Sequence, residues 1–389
     1  EGYYGMTAKG QNIMLTWQDQ KSKSYRSFDK EKMTGLMKKL DGQKAVVEEI
    51  KKTPKKTYAP LLYDLTELQR EANQRFGYSA KETLNIMQRL YENHKVLTYP
   101  RTDSRYLSKD IVPTIKDRLE ACGTGPYRKL AMTAKKKDLS GKLAFVNDAK
   151  VSDHHAIIPT EQFVDLSHMT NEERKIYDLV VRRFLAVLYP PFEYEQTQVT
   201  VKVGGETFLA SGKIVKAQGW RAAYEEEVYS AEDEEEEEAY ESGKSLKGQT
   251  LPELEKGQEI KGLVLSLTEG KTKPPAHFNE ATLLSAMENP TAYMESHDKA
   301  MAKTLGETGG LGTVATRADI IEKLFKSFLL EKRGKDIYLT SKAKQLLELV
   351  PEELKQPELT ADWEMRLSRD KRISQSAVSS GCFNSSGTS

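Results

Sequence analysis

Three hydrophobic rhythms divide this 389-residue chain. From 194 to 218 apolar and polar residues alternate at period two, as in Gln196 to Val203, and Gly204-Gly205 marks a hairpin turn between two strands. Residues 1–17 and 43–50 read as strand and short helix around a basic, polar stretch. Residues 259–272 resume strand-like alternation. A helical rhythm begins after Asp64-x-x-Glu67 and again after Ser79-x-x-Glu82, both capping-box signatures, with Gly77 between them. The second of these helices carries Leu84, Met87, Leu90 and Tyr91 on one face. Val96 to Tyr99 then reads as a strand stopped by Pro100, and helix, turn, helix, strand outlines a winged-helix-like unit. Thr170-x-x-Glu173 opens a further helix with Ile176, Leu179, Val180, Phe184 and Val187 as its apolar stripe, ended by Pro190-Pro191. Beyond Lys273-Pro274-Pro275 the rhythm is helical again over 278–290, 315–329 and 341–350. Two stretches have no period. One is a Lys-rich connector over 51–60. The other is a Ser-rich end from about Arg372, expected to be a disordered tail of the kind a vector contributes.

Composition narrows the class. A length of 389 residues accommodates two to four domains. No apolar run approaches the ~18 residues of a membrane span, and the first residues have no secretory pattern. The chain opens without Met, directly in strand-like sequence, which suggests a piece of a longer protein. Its two cysteines, Cys122 and Cys382, exclude a disulfide framework and a Cys-x-x-Cys zinc site and suit a reducing cytoplasm. The formal charge of +1 hides an asymmetry. Glu225 to Glu241 holds eleven acids and no base, and leaving that block out raises the charge to +12. A basic body with one acidic loop fits a polyanionic partner, as it also fits a surface of solvated lysines.

Three motifs carry chemistry. Tyr99-Pro100-Arg101-Thr102-Asp103-Ser104 offers a phenol that can attack a phosphodiester, a cation two residues on to offset phosphate charge, and a carboxylate, Asp103, able to hold that guanidinium. Read without context, the same residues describe a strand-end tyrosine beside a surface Arg-Asp pair. Ser152-Asp153-His154-His155-Ala156-Ile157-Ile158-Pro159-Thr160 offers histidines that could donate to a phosphate or relay a proton. Two adjacent histidines on a strand face opposite ways and make a poor chelate. Gly309-Gly310-Leu311-Gly312-Thr313-Val314-Ala315-Thr316-Arg317 is a glycine-rich loop opening a helix, where free N–H groups could meet a phosphate; a flexible loop capped by Thr316 is the plainer reading.

Taken together these segments resemble type IA DNA topoisomerases, in their topoisomerase III-like branch. Gln88-Arg89-Leu90-Tyr91-Glu92 followed by Thr98 to Ser104 matches the family's nucleophile region. The spacing between Glu92 and Tyr99 is one residue longer than in some members. The His154 segment and the 309–318 loop match further family segments, as do Thr272 to Ala281 and Glu358 to Glu364. By this resemblance Tyr99 is the nucleophile, and Arg101 and His154 are catalytic, the histidine contacting the scissile-strand phosphate. Gln88, Glu92, Asp103, Thr313 and Arg317 are DNA-binding or supporting; the last position is Tyr in topoisomerase I relatives. The implied fold is multidomain α and β, an arch-shaped part of the family's torus. It has a β domain in two segments (1–58 and 189–272, with an acidic loop at 225–241). A winged-helix-like nucleophile domain (59–188), a helical DNA-groove domain (273–372) and the tail (373–389) complete it. The implied reaction is transient single-strand cleavage through a phosphotyrosine, strand passage and resealing without ATP. Mg²⁺ belongs to the intact enzyme, in an N-terminal Toprim domain with a D-x-D cluster that these residues lack, and no metal is expected on this chain. Single-stranded DNA is the implied partner, a helicase is a further one, and a monomer in the bacterial cytoplasm is expected. Two other readings stay open: a winged-helix DNA-binding protein without chemistry, and a clamp that only encircles DNA.

Overall fold

A computed structural model describes residues 1–224 and 239–381, with side chains through Arg369. Most of the acidic block, residues 225–238, and the terminal residues 382–389 lie outside the described residues, and the expected disordered loop and the end of the expected tail fall there. The chain divides into two compact units, residues 1–60 with 186–275 and residues 61–185 with 276–389.

The first unit is built on a seven-stranded antiparallel sheet. Its strands are β1 (Gly2–Gly10), β2 (Ile13–Gln18), β3 (Ala45–Thr57), β4 (Phe192–Val203), β5 (Glu206–Ala217), β6 (Glu259–Ile260) and β7 (Val264–Lys271), in the order β6-β3-β4-β5-β2-β1-β7. The period-two pattern decides which face is buried: Val199, Val201 and Val203 of β4 point into a core with Met6, Leu15, Trp17, Val47 and Phe208. Helix α1 (Lys30–Leu40) adds Met33 and Leu40 to that core. Gly204 and Gly205 form the β4–β5 turn with φ of 54° and 85°, and a Cβ on Gly204 would lie 2.7 Å from Leu40. Glycine meets both demands. The Lys-rich stretch expected to be a connector is instead the second half of β3, paired with β4 from Lys51↔Gln198 to Thr57↔Phe192. Beyond Val47, which exchanges backbone hydrogen bonds with Gly257 and Gln258, no strand among the described residues pairs with its other side, and Pro54, which has no N–H to donate, sits in that part.

The second unit is mostly helical. It comprises α2 (Leu65–Phe76), α3 (Ala80–Glu92), α4 (Ile115–Cys122), α5 (Arg128–Ala134), α6 (Asn171–Ala186, its last residue at the boundary), α7 (Glu280–Glu288), α8 (Lys299–Thr308), α9 (Arg317–Lys326), α10 (Ser341–Leu349) and α11 (Glu358–Gly381). A hairpin of β8 (Leu330–Arg333) and β9 (Asp336–Leu339) follows α9. The caps form as their sequences require. Asp64 accepts from the Glu67 N–H, and Ser79 and Glu82 close a reciprocal box. Leu65, Ala80 and Leu84 share one core with Leu284, Ala318 and Ile321, so the early helices and the later ones pack as a single body. Glu280, buried, ties them further by accepting from the Ala80 N–H and pairing with Lys332 at 2.5 Å. The tail expected from Arg372 is helical to Gly381, because α11 is already nucleated upstream and each added residue costs little. Among the described residues no helix is long and apolar enough to cross a membrane.

Asp64 is the costly cap. Burial, with Glu288 and Glu67 adding repulsion, raises its carboxyl to about 7 against the Glu67 N–H and Arg105. The folded state therefore keeps this proton up to neutral pH, whereas the unfolded chain releases it near 3.8. Its contribution to stability is full below pH ~4 and is lost as pH rises through 7. Asp64→Asn keeps an acceptor but cannot ionise, so its stability relative to the parent should rise between pH 4 and 8, by on the order of 1–4 kcal/mol. Urea unfolding across that range checks it, and a gap that narrows with pH refutes it.

Candidate active site

The Tyr99 segment is placed by backbone pairing with the His154 segment. Leu97 bridges Pro159 in antiparallel fashion. The Thr98 N–H donates to the Ile158 carbonyl, and the Thr160 N–H to that of Val96, both at 3.0 Å. The Thr98 hydroxyl accepts from the Ile158 N–H at 3.0 Å. On its other side the His154 segment is held by the Ile157 N–H donating to Tyr63 and the Ala156 N–H to Tyr106. The Thr102 hydroxyl donates to the His154 carbonyl at 3.0 Å. Arg118, buried, donates to the Pro159 carbonyl at 3.0 Å and so anchors the same stretch from α4.

This frame sets the Tyr99 ring against His154, with centroids 4.2 Å apart and planes at 34°, and edge-on to Tyr91 of α3 at 5.6 Å. His155, half-buried, turns Nδ1 to the Ala156 carbonyl at 2.7 Å, and burial lowers its pKa. On α3, Gln88 donates to Glu92 at 2.5 Å, one turn apart. Arg89 of the same helix pairs with Glu173 at 3.0 Å, and His94 meets the other oxygen at 2.9 Å. Burial pushes the Glu173 carboxyl up, but the Thr170 N–H, Arg89 and His94 outweigh it and hold it below its ordinary range. That cluster fixes the end of α3 to the start of α6.

Two expectations are corrected. Asp103 was expected to hold Arg101. Instead it accepts from the Ser152 hydroxyl at 3.4 Å, and Arg101 donates to the Ala315 carbonyl at 3.2 Å in the glycine-rich segment. The expected strand over Val96 to Tyr99 is a single bridge at Leu97, and beyond it the Ser104 side chain is tied to the Lys150 carbonyl at 2.7 Å, which turns residues 102–104 toward 150–152 and leaves Arg101 to the segment before α9. The glycine-rich loop was expected to offer free N–H groups. Those of Gly310, Leu311, Thr316 and Arg317 already donate to backbone carbonyls and that of Thr313 to the Thr316 hydroxyl, which corrects the expectation for these five; the N–H groups of Gly312, Val314 and Ala315 have no hydrogen-bond partner among the described residues. Gly310 has φ 82°, and a Cβ there would sit 2.1 Å from the Met287 carbonyl, so the loop packs against α7 too closely for any other residue.

Arg317 explains the loop's shape. It is only 3% exposed. Its guanidinium donates to the Gly309, Leu311 and Gly312 carbonyls and to the Thr66 hydroxyl. Burial lowers its pKa against the pull of Glu288 and Asp64. It supports the loop and offers no open face to a phosphate, while Thr313 lies exposed at the loop's edge beside the Thr316 hydroxyl at 3.1 Å. The sequence signal for this was available only as an arginine at the first turn of a helix, where a cation is unfavourable unless it has another task. Cys122 is no rival nucleophile: burial pushes its thiol up to about 12. Among the described residues no group of three or more His, Cys, Asp or Glu side chains is arranged to hold a metal ion.

Arg317→Met should destabilise the chain by about 2–4 kcal/mol, since several buried carbonyls lose their donor together. Urea unfolding measures this. A change within ~0.5 kcal/mol is what an exposed DNA-contacting arginine would give, and it would refute the supporting role.

Comparison with known proteins identifies the family. A family model described as DNA topoisomerase matches residues 1–379. The chain is 59% identical over 366 residues to DNA topoisomerase 3 of Bacillus subtilis (strain 168), covering 94% of this chain and 49% of that protein. It is 60% identical over 366 residues to DNA topoisomerase 3 of Bacillus cereus (strain ATCC 10987 / NRS 248), with the same coverage. The chain thus spans about half the length of the curated relatives it matches. Its fold is similar to that of full-length topoisomerase I from Thermotoga maritima, with a TM-score of 0.65 at 22% identity over 95% of this chain and 55% of that one. Matched by the family model over nearly its whole length, the chain belongs to the DNA topoisomerase family, in its type IA group.

Proposed function

We propose that this chain carries the strand-cleaving tyrosine of a topoisomerase that breaks and reseals single-stranded DNA without ATP. The observation that supports it is the stacking of Tyr99 on His154 at 4.2 Å, two residues far apart in sequence joined by a dedicated backbone frame. In the proposed step the Tyr99 oxygen forms a bond to phosphorus while the bond to the 3′ oxygen breaks. The phenol gives up its proton, the leaving 3′ oxygen gains one, and the 5′ end stays on the tyrosine. The phosphotyrosine retains the bond energy, so attack by the 3′ hydroxyl reverses the step.

His154, lying on the face of the Tyr99 ring, is within reach of a phosphate carried on that ring's oxygen. Arg101 is assigned the phosphate charge. Its present acceptor is a neutral carbonyl, and a phosphate oxygen forms the stronger, charge-assisted bond. Gln88, Glu92, Asp103 and Thr313 are proposed to border the DNA strand, with Arg317 behind the loop. The Mg²⁺ ion and the proton transfers of the family reaction are assigned to residues outside this chain.

In the protein that carries this chain, Tyr99→Phe should abolish covalent attachment to DNA and leave binding intact. Arg101→Ala and His154→Ala should slow cleavage ~10²–10³-fold. Trapping of protein on labelled single strands reads both; covalent adduct in Tyr99→Phe, or parental rates in the other two, refutes the assignment. The 389-residue chain alone should bind single-stranded DNA with an affinity that falls steeply between ~50 and ~200 mM salt, and should not relax supercoiled plasmid. A flat salt response, or relaxation that Tyr99→Phe abolishes, overturns that expectation.

A further inference from the structure

A cavity of about 590 Å³ opens beside Tyr99 and His154 and runs along Ser108, Lys109, Asp110, Asp148, Ser152 and Asp153. That volume exceeds what a nucleoside needs. Its walls argue against a phosphate. Three carboxylates face one ammonium, Lys109, and that ammonium is already opposite Asp148 at 3.7 Å. The Lys109 N–H is also taken by Asp148, at 2.8 Å. Burial lowers the pKa of His155, which also lines the cavity, against the pull of Asp110 and the Ala156 carbonyl. Asp110 and Asp153 have no hydrogen-bond or ion-pair partner among the described residues and line the cavity as open acceptors.

We propose that this cavity is a base-reading subsite. It takes the nucleobase of the nucleotide whose 5′ phosphate meets Tyr99, and it selects bases that present an amino group. The inference rests on the proposed nucleophilic role of Tyr99 for its place in the reaction, but its chemistry stands on the cavity alone. A carboxylate accepts from the amino groups of cytosine, adenine and guanine. Thymine offers no amino group, only one ring N–H flanked by two carbonyl oxygens that a carboxylate repels, so it is the poorest donor of the four. The tyrosine lines the same cavity as Asp110 and Asp153, so a nucleotide joined to it through its 5′ phosphate can offer its base to the wall that carries them. An acidic wall beside a site for a polyanion also has a use: it disfavours the backbone and leaves the base as the occupant.

The test is saturation-transfer NMR of the 389-residue chain with the four 5′-deoxymononucleotides, a method suited to weak ligands. The base protons of dCMP, dAMP and dGMP should receive roughly fivefold or more saturation than those of dTMP. The exposed pair of substitutions Asp110→Asn and Asp153→Asn should remove that difference, because an amide both donates and accepts and no longer repels thymine. Unchanged thermal unfolding of the double variant confirms that it is folded. Equal saturation of all four nucleotides, no saturation of any, or a preference that survives both substitutions overturns the subsite. Covalent trapping on DNA separates this from the function proposed above. Base selection without a Tyr99 adduct would leave the cavity and remove the nucleophile, and an adduct without base selection would do the reverse.

Discussion

The short antiparallel pairing between residues 96–98 and 158–160 is the constraint on which the site depends. It joins segments 60 residues apart between Thr98 and Ile158. The entropy of closing a loop of that length grows only slowly with its size, so the pairing can be held by a few well-buried contacts. Those contacts are present on both sides: Leu97, Ile157, Ile158 and Pro159 are buried, Arg118 anchors the Pro159 carbonyl, and Tyr63 and Tyr106 receive the N–H groups on the far edge. Register matters more than strength. A slip of one residue would turn every side chain to the other face, taking Tyr99 off His154 and setting an apolar neighbour in its place.

Around that pairing the chain distributes its arginines by burial. Arg317, Arg118 and Arg183 are almost wholly enclosed, and each donates to a backbone carbonyl of a loop segment. Such a guanidinium is costly to bury and more costly to remove, which makes it a fastener. Arg89 is held by the Glu173 carboxylate. Arg101 differs from all of these. It is half-buried, two residues from Tyr99, and donates to one neutral carbonyl, with the Asp319 carboxylate near enough to feel its charge. The difference between a fastening arginine and a working one is thus a matter of acceptor and exposure, and both kinds occur in the motifs that the sequence offers as functional.

Local chemistry was legible in the chain itself. Asp64 and Ser79 begin helices because their side chains satisfy N–H groups three residues on. Gly204-Gly205 turns a hairpin because two successive residues need positive φ. The valines of β4 face inward because strand side chains alternate. The family could be named because a long run of residue types, Thr98 to Ser104 among them, matches it. What the sequence could not express was direction across space. Lys51 to Thr57 looks like a linker to any local rule, since its strand character comes from β4, supplied from about 140 residues later. Asp103 looks like a partner for Arg101 because it is two residues away, yet the tie from Ser104 to Lys150 turns the two side chains toward different neighbours. Arg317 looks like a phosphate contact until the carbonyls of its own loop close around it. Hydrogen-bond satisfaction in a packed interior is a global condition, and each donor goes to the acceptor that the whole fold leaves unmet, which no window of sequence contains.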